Sequence, residues 1–277
     1  MSPDGSISPS QLGKATTLSG IAPKEVIQVL KPLEDACSRL ILKGGLHPVY
    51  LVTPPLCHIE PDWKNYEKIL DTLYKEHPDA KAVADYLGVS HSQLCTFTFS
   101  NPSLSNNSEL VKFYRRFYNA IILFILIQEW PITRVSAMTK TATRGQLQQL
   151  QKDSSIFCNM IVTFCKKLNW EILATCLDDY CSRLNFGVHR DILPLVRIGS
   201  EITTTRARIF FKNKICTAKD IVSAGLKKIT QLIIDSLPFY SRDAIDITNN
   251  SNSIEIANKR ELTRDSSERL ARKIILR

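Results

Sequence analysis

Five polar or basic residues recur at three- to seven-residue intervals in the middle of the chain and could hold a polyanionic strand. They are Gln149, Lys152, Asn159, Thr163 and Lys166. Ile156 lies within this stripe, where solvent alone does not favour an apolar residue. Lysines attract phosphates and an apolar side chain can pack on a base, so the stripe can lie along a single nucleic-acid strand. Periodicity alone favours the alternative, a bundle helix whose Ile156 packs on a neighbouring helix.

One long helix must position this stripe. No glycine or proline occurs between Gly145 and Gly187. Apolar residues recur there at three-, four- and seven-residue intervals on the other side of the helix, namely Leu147, Leu150, Phe157, Ile161, Phe164 and Leu168. This pattern predicts a helix of about six turns that begins near Arg144 and buries one side.

Several segments carry a family resemblance. They are RGQLQQLQKDSSIFCNMIVTFCKKLNW, SRLNFGVHRDILPLVRI and RARIFF, with QLGKAT and HPVYLVTPP upstream and KRELTRDSSERLARKII downstream. Together they resemble the C-terminal part of the helicase region in DNA polymerase theta-type and HELQ-type superfamily 2 helicases. The run LNFGVHRDILPLVRI is the most specific segment, and the resemblance covers nearly the whole chain.

The resemblance implies an all-α fold. It implies a multi-helix bundle with a long central ratchet-type helix that contacts the translocating single strand, followed by a small helix-hairpin-helix-like domain. The expected organisation is a connector or the tail of an upstream domain at 1–22, the bundle at 23–198, and the C-terminal domain at 199–277. Residues 246–259 are polar and are predicted to form a flexible loop within that last domain.

The residues expected to contact DNA follow from this resemblance and from the stripe. They are Arg144, Gln149, Lys152, Ile156, Asn159, Lys166, Arg190, Arg206, Arg208 and Lys212. Gln149 and Ile156 fall where archaeal relatives carry a basic and an aromatic residue, which weakens both expected contacts. The hairpin turns at 202–204 and 213–215 lack the family's glycines, so a grip on phosphate through backbone amides is weakened. Basic side chains, including Lys214, would supply ordinary phosphate contacts instead.

Length, composition and net charge limit the classes of protein to which this chain can belong. The chain has 277 residues, enough for one large domain or two ordinary ones, and its hydrophobic fraction of 44% supports a buried core. A net charge of +9 favours an acidic partner such as nucleic acid or an anionic membrane surface, although a solvated basic surface also explains it. The apolar run 120–127 is too short to cross a bilayer and predicts a buried helix. The expected partners are single-stranded DNA and helicase motor domains, and no membrane is expected.

The eight cysteines include no CxxC pair and are most simply reduced and intracellular. Cys176, Cys181 and His189 match no standard zinc spacing, so no metal is expected. The family resemblance adds the expectation of a nuclear location.

Local patterns predict the remaining elements. A helix should begin at Pro23, be kinked or broken at Pro32, and end at Gly44-Gly45. The β-branched run 49–52, between prolines, predicts a lone strand or an extended segment. Residues 81–94 predict two short helices joined at Gly88-Val89, for which a structural hairpin is favoured over a DNA-reading helix-turn-helix. Thr263 should cap a final helix.

Motor chemistry is absent from the sequence. No GxxxxGK[ST] loop or acidic metal-binding box occurs, so the chain alone is not expected to hydrolyse ATP. ATP and magnesium would belong to helicase motor domains supplied in cis or in trans, and the chain would be a fragment or a truncated gene product. The leading hypothesis is a single-stranded DNA-binding accessory region of a repair helicase. The alternative is a helical protein-interaction scaffold without nucleic-acid contact.

Overall fold

The computed structural model describes residues 8–56, 59–102, 108–237 and 265–276. Within these ranges the regular secondary structure is helical and no strand occurs, which confirms the predicted all-α class. The chain forms two compact units, Met1–Gly187 and Val188–Arg277.

The first unit contains the helices α1 to α10. Their bounds are α1 Gln11–Ser19, α2 Pro23–Ser38, α3 Leu46–Leu51, α4 Trp63–Glu76, α5 Asp79–Leu87, α6 His91–Ser100, α7 Glu109–Ile127, α8 Ile132–Thr139, α9 Arg144–Lys167 and α10 Glu171–Phe186. The second unit contains a 3-10 turn at Arg190–Ile192, then α11 Leu193–Val196, α12 Thr204–Lys212, α13 Ala218–Asp235 and a final helix α14 at 265–275.

The division between the units lies before the predicted boundary at 198. Val188, Ile192 and Leu195 belong to the buried apolar cluster of the second unit. At the other end of the chain, Gln11–Ser19 within the expected connector forms a helix that packs against α9 and buries Ala15. Predicted connector residues 1–7 lie outside the described residues.

The helix α7 is the centre of the first unit. All residues from 120 to 127 are buried, as the apolar run predicted. Tyr114, Phe117 and Tyr118 are also buried, so the aromatic residues interleaved with arginines serve packing. No described helix is long and apolar enough to span a bilayer.

The predicted strand or extended segment at 49–52 is wrong, because this run lies in helix α3 and its end. Gly45, at a φ of +83°, precedes the helix, and all six residues of α3 are buried. A segment buried on every side gains more from packing than its β-branched residues lose in helix propensity. The buried Arg116 guanidinium donates hydrogen bonds to the carbonyls of Leu51 at 3.1 Å and Thr53 at 2.9 Å, which satisfies the helix end.

Of the kink or break predicted at Pro32, the break is wrong, and the kink stays a prediction. Helix α2 continues through Pro32 and ends at Ser38, before Gly44-Gly45. Val29, Leu33 and Ala36 are buried at helical spacing on both sides of the proline. Their common packing holds the helix together across the missing amide donor.

The two short helices predicted within 81–94, joined at Gly88-Val89, are confirmed. Helix α5 ends at Leu87, Gly88 has a φ of +83°, and α6 begins at His91. The Ser90 amide donates to the Tyr114 hydroxyl at 2.8 Å, which ties this turn to the core helix α7.

Helices α12 and α13 of the second unit are joined by residues 213–217. Lys214 in this connection has a φ of +62°, so it adopts the left-handed conformation that glycine adopts most readily. The predicted helix-hairpin-helix character of this segment stays a prediction. Gly225, with a φ of +75°, kinks α13. The predicted flexible loop 246–259 and the predicted cap Thr263 lie outside the described residues.

Candidate nucleic-acid interface

The ends of α9 are defined by local hydrogen bonds. The Thr143 hydroxyl accepts from the Gln146 amide at 3.3 Å, and the Gln146 side chain accepts from the Thr143 amide at 2.9 Å. This reciprocal pair is a capping box. At the other end Asn169 has a φ of +63°, and the Trp170 amide donates to the Cys165 carbonyl at 2.9 Å. The helix is 24 residues long, or about 36 Å.

One side of α9 is buried against α10, α1, α8 and α7. The predicted apolar stripe lies on this side, with Leu147, Ile161 and Phe164 fully buried. Small residues allow α10 to approach closely, and the Ser155 hydroxyl donates to the Cys181 carbonyl at 2.9 Å. Burial raises the pKa of the neighbouring Cys158 thiol, which keeps it protonated and apolar in character.

The other side of α9 is exposed and carries the predicted stripe. We call this surface the α9 face and define it by Gln149, Lys152, Ile156, Asn159 and Lys166, all of which are exposed. Ile156 has 53% of its surface exposed, so none of the described helices covers it. Arg144, the first residue of α9, is exposed as well.

The α9 face has a mixed charge. Lys152 and Lys166 form no ion pair with another described residue, and they lie about 21 Å apart along the helix axis. The Gln149 amide donates to the Asp153 carboxylate at 2.7 Å. Asp153 was not predicted, although its position one turn after Gln149 is visible in the sequence. This carboxylate lowers the positive potential near Gln149 and leaves Lys152 and Lys166 as the isolated cations.

The remaining predicted residues lie in the second unit. Arg190 and Lys212 are both exposed. Arg190 also interacts with another group of the protein. Arg208 donates two hydrogen bonds to the Asp191 carboxylate, at 2.7 and 3.0 Å. Desolvation acts to raise the pKa of Asp191, but the hydrogen bonds from Arg208 and His189 outweigh it, so the pKa is lowered. Arg208 is therefore engaged within the fold.

Arg206 lines a basic cleft of about 410 Å³ that the prediction missed. Its guanidinium donates to the Glu201 carbonyl at 2.7 Å. Arg269 and Lys273, one turn apart on α14, line the same cleft, and Asp265 adds a negative charge. The four-residue spacing of Arg269 and Lys273 was visible in the sequence, but their position beside Arg206 requires the fold.

Residues 23–184, more than half of the chain, match the family model of the DNA pol Q helicase-like region helical domain. The chain belongs to this family. The match begins at the first residue of α2 and extends into the last turn of α10, so it covers α9 itself and its neighbours α7, α8 and α10, whereas α1 lies before it. This result confirms the predicted resemblance to the DNA polymerase theta helicase region.

Proteins described as DNA polymerase theta are similar over most of this helical-domain chain. The Caenorhabditis elegans protein is 32% identical over 245 residues, which is 88% of this chain and 15% of that protein. The Drosophila melanogaster protein is 30% identical over 87% of this chain and 12% of that protein. The Mus musculus protein is 29% identical over 86% of this chain and 9% of that protein. The chain thus spans less than a sixth of the length of each of these relatives.

Proposed function

We propose that this chain is a single-stranded DNA-binding helical module of a DNA polymerase theta-type repair helicase. In this role the α9 face guides the translocating strand beside motor domains supplied in cis or in trans. ATP and magnesium act in those motor domains. The module works in the nucleus, where such a repair helicase meets its DNA.

The observation that carries this proposal is the exposure of Ile156 on an otherwise polar face. An apolar side chain with 53% of its surface exposed contributes little to the core of this unit. Lys152 and Lys166 lie on the same face without ion-pair partners among the described residues, and can each neutralise a phosphate. Ile156 between them offers a surface on which a base can pack, more weakly than an aromatic ring.

The second unit supports the proposal independently through Arg206, Arg269, Lys273 and the exposed Lys212. The turn after α12 does not require a glycine, because Lys214 adopts the positive φ that this turn needs. Arg208 is engaged by Asp191, so we assign the phosphate contacts of this unit to the other basic residues.

A fluorescence-anisotropy titration with a labelled oligothymidylate at several salt concentrations tests the proposal. With about four to six phosphates neutralised, the logarithm of the affinity should fall against the logarithm of the salt concentration with a slope of about −3 to −4. Binding should not depend on base sequence, since every base has a face to pack.

Absence of binding at low salt would reject the proposal in favour of the protein-interaction scaffold. That alternative has a structural basis in the apolar cleft formed by Cys37, Leu40, Trp170 and Ile172, where Ile172 has 85% of its surface exposed. A protein partner on this cleft would bury Ile172 and leave the α9 face uncovered.

A further inference from the structure

Three side chains with metal-ligating atoms converge on the outer surface of the α4–α6 pair. They are Glu67 of α4 and His91 and Cys95 of α6, and their ligand atoms all lie within 4.8 Å of one another. His91 and Cys95 are four residues apart, so they share one face of α6. Neither side chain serves the core, since His91 is exposed and Cys95 is half-buried.

The distance between the two α6 ligands matches tetrahedral coordination. The Cys95 Sγ and His91 Nε2 atoms are 3.6 Å apart. Zinc bonds of about 2.1 Å to nitrogen and about 2.3 Å to sulfur, at the tetrahedral angle, place those two atoms about 3.6 Å apart. The separation of these two atoms therefore fits a zinc ion bound to both.

Glu67 supplies the group that orients the histidine. Its carboxylate lies 2.5 Å from His91 Nδ1. A carboxylate that accepts the Nδ1 proton fixes the tautomer whose Nε2 lone pair is free, and metal-binding histidines commonly have such a partner. In this structure Nε2 is the ring nitrogen that lies 3.6 Å from the Cys95 Sγ atom.

We propose that His91 Nε2 and Cys95 Sγ bind a borderline-soft divalent cation, with zinc as the best fit, and that Glu67 orients His91. Binding replaces the Cys95 thiol proton, which passes to solvent, and solvent molecules complete the tetrahedron. The ligand types favour zinc over magnesium or calcium, which prefer oxygen ligands. The site lies on α4 and α6, away from the α9 face, and is independent of the DNA-binding proposal.

Cobalt titration of the whole chain, in a non-chelating reductant, tests the site. We expect one equivalent of Co²⁺ to give a thiolate-to-cobalt charge-transfer band together with the visible bands of tetrahedral coordination, and Zn²⁺ to remove both. The His91→Ala and Cys95→Ser variants should lose the bands. The Glu67→Ala variant should keep the spectrum with an affinity lowered about 10- to 100-fold, as for other orienting residues.

Cys37→Ser is the matched control, because Cys37 is an exposed thiol on another helix. It should give the wild-type spectrum. Circular dichroism should show unchanged helix content in all four variants, because each replaces a side chain outside the core. Bands that persist in Cys95→Ser, bands that disappear in Cys37→Ser, or no saturable band in the wild type would overturn the proposal.

Discussion

Ile156 and Phe164 lie on the same helix, eight residues apart, and have opposite environments. Ile156 has 53% of its surface exposed and Phe164 has none. The Ile156→Ala variant should lower the free energy of unfolding by no more than about 1 kcal/mol. Phe164→Ala should lower it by about 3–5 kcal/mol, because it leaves a core cavity beside Trp170. Denaturant melts of both variants measure this difference.

The same pair of variants checks the assignment of the α9 face. If Ile156→Ala unfolded the chain as readily as Phe164→Ala, Ile156 would be a core residue and the strand-facing assignment would be wrong. Ile156→Trp extends the test, because stacking on an aromatic ring contributes about 1–3 kcal/mol per base and should tighten DNA binding. The exposure of this position leaves room for the larger side chain.

His47 makes the stability of the first unit depend on pH. Desolvation lowers the pKa of this buried side chain to about 4, and its Nδ1 atom accepts a hydrogen bond from the Ile41 amide at 3.1 Å. The unfolded chain, with an ordinary histidine pKa near 6.5, therefore binds more protons than the folded chain between these values. The free energy of unfolding should fall as the pH is lowered from about 6.5 towards about 4.

Denaturant melts at several pH values measure this dependence. In the His47→Gln variant the glutamine oxygen can still accept from Ile41, but no proton is taken up, so the dependence over this range should be smaller than in the wild type. Equal pH dependence in the two proteins would show that His47 is not the group responsible.

At the scale of the element, α9 was predictable and α3 was not. The positions of α9 follow a helical period, its cap is encoded in Thr143 and Gln146, and no glycine or proline interrupts it beyond Gly145. The end of α3 instead receives hydrogen bonds from Arg116, more than sixty residues away, which donates to the carbonyls of Leu51 and Thr53. Local propensity cannot report such a distant partner. Helix α2 likewise continues through Pro32, because packing on both sides of the proline outweighs one missing hydrogen bond.

Replacement of Arg116 tests this account of α3. Arg116→Met keeps much of the side-chain volume but removes both hydrogen bonds and the stacking of the guanidinium on Tyr50, at 4.8 Å from the ring centre. We expect the free energy of unfolding to fall by about 3 kcal/mol or more. Arg134→Met is the matched control, because its exposed guanidinium pairs with Glu76 and lies 3.6 Å from the centre of the Trp130 ring. Loss of these two exposed interactions should cost at most about 2 kcal/mol. Similar costs for the two variants in denaturant melts would contradict the capping role.

At the scale of the whole molecule, the sequence predicted the fold class and family, but not where the two units divide. Residues 188–198 continue the helical pattern of the first unit in the sequence, and only the contacts show that Val188, Ile192 and Leu195 pack in the second. The candidate site was also only partly predictable, because some of its contacts are not visible in the sequence pattern. Periodicity identified the α9 face, whereas the ion pair between Arg208 and Asp191 and the cleft at Arg206 depend on tertiary contacts.

The net charge of +9 means that weak binding to DNA alone would not locate the interface, since any basic surface attracts phosphates. Two double variants with the same loss of charge separate a specific face from this general attraction. Lys152→Ala/Lys166→Ala removes the isolated cations of the α9 face. Lys64→Ala/Lys81→Ala removes two exposed lysines from α4 and α5 and is the matched control. Neither change should unfold the chain, because exposed charges contribute little to stability.

The salt dependence of oligothymidylate binding by these two variants and the wild type is the most direct test that the α9 face contacts the strand. Loss of two phosphate contacts should make the slope of log affinity against log salt shallower by about 1.4 in Lys152→Ala/Lys166→Ala, with weaker binding at low salt. Lys64→Ala/Lys81→Ala should keep the wild-type slope. Equal slopes and affinities in the two double variants would contradict the account, because the strand would then respond only to net charge.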